Sequence, residues 1–312
     1  MITGVDPLPI RQDDSGPTAG IVTLTLEQPG KPVVVLDHDL IRRLEAALRA
    51  LPKNASGLVL ASASDRVFVA GADLNAIQQL SDDQLLKYLA YGSQVFAMIS
   101  NVPFPTVAAI HGAALGGGLE LAMHCDALVA APPPARDGQP GKPYPVGLPE
   151  AGLQICPGWG GTNLLPSRID PLDAIKRTAM GLPMTFDEAA KAGMFDAVAP
   201  STDQLHATAK RWILDQRARG RMDRDGAPWR WIGRIGTAVT GRGPATVLSA
   251  LDRLKAELPE TEPVKAVLDA VNAGLVRGWK AALEVEQRHL TRLRNLPGGK
   301  DAIAAFFAKA KK

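Results

Sequence analysis

Four short apolar runs set the strongest limit on how this chain can fold. They are Ile21–Leu26 (IVTLTL), Gly57–Ser62 (GLVLAS), 106–111 (TVAAIH) and 127–131 (ALVAA), each apolar and largely built from branched or small residues, as buried strands are. Between them lie stretches with a helical period. Over 37–51, Leu40, Ile41, Leu44, Leu48 and Leu51 share one face, and Asp37 or Asp39 can cap it. Ser81 opens a second amphipathic helix carrying Leu85, Leu89, Phe96 and Ile99, and 119–125 reads as a short helix. Strands separated by helices need crossover connections, which give a largely parallel sheet covered on both faces.

From Pro171 onward the pattern is helical almost throughout. Thr185 and Glu188 fit a capping box, with Gly193 ending that helix. Ser201 is expected to cap a helix running to about Arg217. Pro263 suits the first turn of a long helix bearing Val267, Val271, Leu275, Trp279 and Leu283. The expected division is therefore an α/β core over residues 1–200 and a helical C-terminal region over 201–312, with no internal repeat.

Two stretches interrupt this plan. Residues 132–145 (PPPARDGQPGKPYP) are rich in Pro and Gly and read as a loop or surface insertion. Residues 216–244 carry Arg217, Arg219, Arg221, Arg224, Arg230, Arg234 and Arg242, with Trp229 and Trp231 among them. Such interleaving occurs in nucleic-acid binders, but Asp223 and Asp225 dilute the charge, and a solvated connector is the expected reading.

Composition narrows the class without naming a function. Hydrophobic residues make up 46% and charged residues 21% of the 312, ordinary values for a soluble globular protein, and nothing in them calls for disorder, collagen or a coiled coil. The net charge of +3 is compatible with a polyanionic ligand such as a nucleotide and too small to argue for nucleic acid. The two cysteines, Cys125 and Cys156, sit in apolar surroundings and are expected to be buried, reduced thiols. No run approaches the roughly 20 apolar residues of a membrane span. The N-terminal residues lack the basic start and apolar stretch of a signal peptide. A soluble cytoplasmic protein is expected.

The chemistry-bearing residues lie in three glycine turns. The first is Val69-Ala70-Gly71-Ala72-Asp73-Leu74, after a strand-like segment ending near Phe68; alone it is also a common tight turn. The second, Gly116-Gly117-Gly118-Leu119-Glu120, precedes a helix and leaves unpaired N–H groups at its positive end. It has neither the G-x-G-x-x-G spacing of a dinucleotide fingerprint nor the Gly-Lys-Ser/Thr of a P-loop. Glu120 there either steadies the helix end or serves a site. The third turn runs from Leu148-Pro149-Glu150 through Gly158-Trp159-Gly160-Gly161-Thr162, where Glu150 is either a surface turn residue or a second site carboxylate. Together the turns supply backbone donors for a developing oxyanion and two carboxylates to handle protons. Chemistry at the α- and β-carbons of a thioester needs that combination.

The segments FVAGADLNAI, PTVAAIHGAALGGGLELAMHCDALVAA and GLPEAGLQICPGWGGTNLL resemble, in order, the signature segments of the crotonase (enoyl-CoA hydratase/isomerase) superfamily, over about residues 20–200. The resemblance implies an α/β fold, the crotonase-like (ClpP/crotonase) spiral of ββα units, followed by a helical C-terminal region. It implies an oxyanion hole from the N–H groups of Ala72 and Gly117. Glu120 and Glu150 fall on the two family glutamates that hold a water for addition to a 2-enoyl-CoA, Glu120 activating it and Glu150 protonating the α-carbon. Gly158 matches a family glycine near the carbonyl and the water. CoA recognition by the loop after the first strand and by the Ala-Gly-Ala-Asp loop maps to Lys31, Ala70, Asp73 and Leu74. The coenzyme A is part of the substrate, so no separate cofactor and no metal is expected.

Having both glutamates points to an enoyl-CoA hydratase of fatty-acid β-oxidation. A Δ3-Δ2 enoyl-CoA isomerase, which needs one, and a CoA-binding partner subunit are the alternatives. The glutamates lie 30 residues apart, more than in compact family members, and the excess is the Pro-rich loop. PGKPVVVLDHDLI, AGLVRGWKAALEVEQRHLTRLRN and DAIAAFFAKAKK are similar to the hydratase portion of multifunctional β-oxidation α-chains, in which a dehydrogenase domain follows. The expected partners are an acyl-CoA thioester and either copies of this chain, as a trimer or hexamer, or a separate dehydrogenase. No nucleic acid and no membrane span are expected.

Overall fold

The computed structural model describes residues 4–135, 139, 141–217, 227–237 and 243–310. In chain order the strands are β1 (Ile10–Gln12), β2 (Ile21–Leu26), β3 (Gly57–Ser62), β4 (Val67–Val69), β5 (Thr106–Ile110), β6 (Ala113–Leu115), β7 (Ala127–Ala130), β8 (Pro145–Gly147), β9 (Met184–Thr185) and β10 (Ala197–Val198). The helices of the first half are α1 (His38–Arg49), α2 (Leu74–Gln79), α3 (Asp82–Asn101) and α4 (Gly117–Met123). Those of the second are α5 (Gly161–Arg168), α6 (Pro171–Met180), α7 (Phe186–Lys191), α8 (Leu205–Arg217), α9 (Pro244–Glu257), α10 (Glu262–Arg277), α11 (Trp279–Leu293) and α12 (Pro297–Ala310).

The larger sheet has the order β1-β2-β3-β5-β7-β10 and is parallel except for β1. Its four central strands are the four apolar runs. Side chains alternate across a strand, so each run must supply two buried faces. Val22, Leu24, Leu58, Leu60, Ala108, Ile110, Leu128 and Ala130 join the main core, in which the buried faces of α1 and α3 also lie. Ile21, Val59, Ala61, Val107, Ala109, Ala127 and Val129 face the other way, where Leu205, Ala209 and Ile213 of α8 cover them. The first helix of the C-terminal part is thus a layer of the sheet, while α9, α10 and α11 pack on α3, α5 and α6.

The smaller sheet, β4-β6-β8-β9, joins the three glycine turns. Strands β4, β6 and β8 are parallel, and one end of each runs into one of those turns.

Asp37 caps α1 by accepting from Leu40 N at 2.7 Å, and Ser81 with Gln84 closes a capping box on α3. Two expected helices differ. The long helix expected from Pro263 breaks at Gly278, whose φ of 94° ends α10; Trp279 and Leu283 belong to α11. Ser201 makes no side-chain cap; a 3-10 turn over Thr202–Gln204 leads into α8 instead. Neither cysteine forms a disulfide, and both are buried. Among the described residues no helix is long and apolar enough to cross a membrane.

Of the two interrupting stretches, residues 136–138, 140, 218–226 and 238–242 lie outside the described residues, and Arg219, Arg221, Arg224 and Arg242 with them. The described part of the Arg/Trp stretch packs inward. Ile232 is buried and its N–H donates to Asn163 O at 3.1 Å, and Trp231 meets Trp279 edge to face. Arg230 reaches Asp196 Oδ1 at 2.5 Å, while Asp196 Oδ2 accepts from Arg168 at 3.1 Å and from Leu128 N at 2.8 Å. Asp196 therefore ties β7, α5 and this stretch together. Asp196→Ala would leave the buried Arg168 guanidinium without its carboxylate, so it should lower unfolding free energy by about 3–5 kcal/mol. Arg230→Ala, at a partly exposed position, should cost less; urea unfolding of the two variants checks the order.

Candidate active site

Strand β6 ends at Leu115, and the chain turns sharply at Gly116 (φ 52°) before α4 begins. A Cβ on Gly116 would lie 2.6 Å from Glu150 Oε1; one on Gly117 would enter the Trp159 ring, and one on Gly118 the Val69 backbone. The glycine triplet is thus required by close approach, and it brings the three turns into contact. Every residue of α4 is buried, Glu120 included.

Glu120 does not stay at its own helix end. Its Oε1 accepts from Trp159 N and from Gly161 N, both at 2.8 Å. These donors belong to the unpaired N–H groups at the start of α5. Among the described residues no protein donor reaches Oε2. One carboxylate oxygen is pinned and the other is free.

The intervening N–H groups go to a carboxylate that the sequence reading did not single out. Glu286, fully buried on α11, accepts from Gly160 N at 2.6 Å through Oε2. Its Oε1 accepts from Thr162 N at 2.9 Å and from the Thr162 hydroxyl at 2.5 Å. The signal was present: Glu286 lies four residues from Ala282 and from Leu290, inside the apolar stripe of its helix. A charged residue in such a stripe needs a partner.

Glu150 follows β8 and opens a 3-10 turn over Glu150–Leu153. Its carboxyl sits beside Gly116, with Oε2 buried and without a hydrogen-bond partner. Burial pushes its pKa up to about 8, against its own backbone N–H, and the Glu286 charge adds to the rise. Glu286 is pushed up to about 7 by burial, against the Thr162 hydroxyl and the backbone donors. Glu120 is raised by burial and by the charges of Glu286 and Glu150, against the N–H groups of Gly161 and Trp159. Three carboxyls so close are costly to ionise together, so the group favours retaining at least one proton near neutral pH. His124 is neutral: burial lowers its pKa to about 4, and its Nδ1 lies 2.9 Å from Glu120 O.

The two backbone donors expected for an oxyanion lie at adjoining turns. Leu36 pairs with Ala72 as an isolated parallel bridge, in which Leu36 N donates to Gly71 O at 2.8 Å and Asp73 N to Leu36 O at 3.1 Å. The residue between those two points its own N–H away from the ladder, so Ala72 N is turned off it. Gly117 opens α4, where a helix leaves its N–H unpaired. A Cβ on Gly71 would lie 3.3 Å from Leu115 O, which shows how closely the two turns approach.

The residues mapped to CoA recognition lie around that bridge. Ala70 N donates to Val34 O at 2.9 Å; Asp73 caps α2 by accepting from Asn75 N at 2.9 Å, and Leu74 is the first residue of α2. Lys31 is half-exposed and pairs with Asp37 at 2.5 Å. It lines an open cleft of about 350 Å³ together with Gly30, Pro32, Ser64 and Arg66. Arg66 is a second cation there that the sequence reading did not name. Gly158 is packed between Leu89 and Leu290, and its carbonyl accepts from Gln287 Nε2 at 3.3 Å. Among the described residues no group of His, Cys, Asp and Glu is arranged to hold a metal ion.

Comparison with known proteins agrees with this arrangement. The family model described as enoyl-CoA hydratase/isomerase matches residues 16–219. Among solved structures, the human mitochondrial delta3-delta2-enoyl-CoA isomerase is similar with a TM-score of 0.67 and 20% identity, over 98% of each chain. An enoyl-CoA hydratase from Bacillus halodurans has a TM-score of 0.65 and 19% identity, over 96% of this chain and 99% of that one. One from Mycobacterium avium subsp. paratuberculosis K-10 has a TM-score of 0.61 and 19% identity, over 98% and 97%. With the layered sheets, the three turns and the family match over most of its length, this chain has the crotonase fold and belongs to the enoyl-CoA hydratase/isomerase family.

Proposed function

We propose that the protein hydrates trans-2-enoyl-CoA to 3-hydroxyacyl-CoA, a lyase step of fatty-acid β-oxidation. The observation that carries this reading is the contrast between two buried carboxyls. Glu120 is held by two N–H donors at Oε1 with Oε2 free, as suits a base. Glu150 has a buried oxygen without a partner and a pKa raised to about 8, as suits a proton-holding acid.

In this reading the N–H groups of Ala72 and Gly117 receive the thioester oxygen, and Lys31, Ala70, Asp73 and Leu74 border the CoA. Gly158 lies near the carbonyl and the water. Glu120 takes a proton from water as the water oxygen bonds to C3. The C2–C3 π electrons move onto the thioester as an enolate, which the two N–H groups stabilise. Glu150 then gives its proton to C2. One water has been added, and the proton left on Glu120 restores Glu150. Isomerisation of a 3-enoyl-CoA needs only one carboxyl to carry a proton between C2 and C4. The second carboxyl therefore favours hydration.

Hydration of crotonyl-CoA and isomerisation of a 3-enoyl-CoA, assayed side by side, test the reading; isomerisation without hydration would reject it. Glu120→Gln and Glu150→Gln should each lower kcat for hydration by about 10²–10⁴. Activity should also need the proton shared by the pair. The kcat/KM profile should fall above about pH 8, where Glu150 loses its proton, and that alkaline limb should disappear from the residual activity of Glu150→Gln.

A further inference from the structure

The four successive N–H groups from Trp159 to Thr162 are divided alternately between two carboxylates. Glu120 holds the first and third, and Glu286 the second and fourth. The partners of Glu286 bear on its protonation state. Asn163 Nδ2 donates to Thr162 Oγ1 at 2.8 Å and to Ala270 O at 3.1 Å, which fixes the orientation of the amide. The Thr162 hydroxyl, accepting from that amide, has its own proton available for Glu286 Oε1 at 2.5 Å. With Gly160 N donating to Oε2 and Thr162 N to Oε1, the carboxyl receives three donors. These donors favour the Glu286 anion, against the burial that pushes its pKa up to about 7.

We propose that Glu286 is a positioning residue for the Glu120–Glu150 pair: it clamps the Trp159–Thr162 turn that aims Glu120, and its charge holds the working proton on the pair. The inference rests on the reading of Glu120 and Glu150 as the acid–base pair. Neither half of the role needs Glu286 to touch the substrate. Holding Gly160 and Thr162 fixes the two N–H groups between and beside them, and so Glu120 Oε1. The free Oε2 is then directed by a turn anchored on both sides. The electrostatic half follows from burial, since a nearby anion makes a second ionisation costly where water is excluded.

The groups around Glu286 are nearly all neutral or acidic. Glu120 on α4 and Glu150 after β8 both feel its charge, as does the buried thiol of Cys156, whose Sγ donates to Glu286 O at 3.4 Å. His124, the C-cap of α4, is uncharged. On α11 itself Gln287 is neutral and bonds Ser93 of α3 at 2.9 Å. Arg292, the cation felt at Cys156, faces outward and pairs with Glu262 at 2.6 Å. No buried cation of this set offsets the Glu286 charge. The helix end of α5 does so, with its donors and positive dipole.

The test is a pH–rate profile for three variants, with folding checked by thermal melting. In Glu286→Gln the charge is gone, so Glu150 ionises more readily. The alkaline limb of kcat/KM should move down by about one unit, and kcat should fall at least about tenfold through misplacement of Glu120. KM should change little. Glu286→Asp keeps the charge but shortens the clamp, so kcat should fall while the alkaline limb stays at its wild-type position. A role in stability alone would lower the melting temperature and leave the limb unmoved, and that result in Glu286→Gln overturns the proposal. If Glu286→Gln does not fold, Thr162→Val decides. Losing one donor makes Glu286 take a proton more readily, so its charge acts less on Glu150 and the alkaline limb should again move down; an unmoved limb overturns the proposal. Failure of the wild type to turn over any enoyl-CoA rejects the hydratase reading instead. The present inference is then read without turnover, by 13C carboxyl titration. The Glu150 midpoint should be lower in Glu286→Gln, or the Glu286 midpoint higher in Thr162→Val, than in wild type. An unchanged midpoint overturns it.

Discussion

The start of α5 is the point on which the site depends. A helix leaves its first N–H groups without partners, and here that end is buried, so water cannot satisfy them. Two carboxylates do so instead, one from α4 and one from α11. The arrangement answers two needs at once. The donors would be costly to bury alone, and so would the acids. Each is made tolerable by the other, and the surplus of acid over donors is what leaves Glu150 with an unpartnered oxygen.

The surrounding structure holds this point from several directions. Trp159 lies under Gly117, donates to Leu89 O at 2.9 Å, and packs against Tyr88 and Phe96. Trp279, the first residue of α11, stands over Gly160 and touches His124 and Trp231. The aromatic residues thus frame the turn on both sides, and the described part of the Arg/Trp stretch is part of that frame.

Much of this was legible in the sequence, for physical reasons. The apolar runs had to be strands because their branched residues alternate between two buried faces, and Asp37, Ser81 and Thr185 announced helix starts by side chains that cap. Glu120 and Glu150 were singled out beside glycine turns, each ambiguous by itself, and the resemblance to the crotonase superfamily supplied their expected roles. Glu286 was not, because what defines it is a partner more than 120 residues away. The break at Gly278 was missed for a related reason. The apolar period runs on across it, and only the backbone turn at a positive φ separates α10 from α11. The inward packing of Trp231 and Ile232 was equally hidden, since a sequence dense in arginine reads as solvated until its apolar contacts are known.

The span between Glu286 and the turn it holds also bears on how the molecule is made. The α/β layers, with Glu120 and the α5 end, are complete in sequence well before α11 exists. Contacts so distant along the chain are slow to form because a long loop must close first. Until α11 docks, Gly160 and Thr162 have no acceptor from Glu286, and the turn that orients Glu120 is held on one side only. The geometry around Glu120 is therefore complete only once the C-terminal helices have packed on the α/β layers.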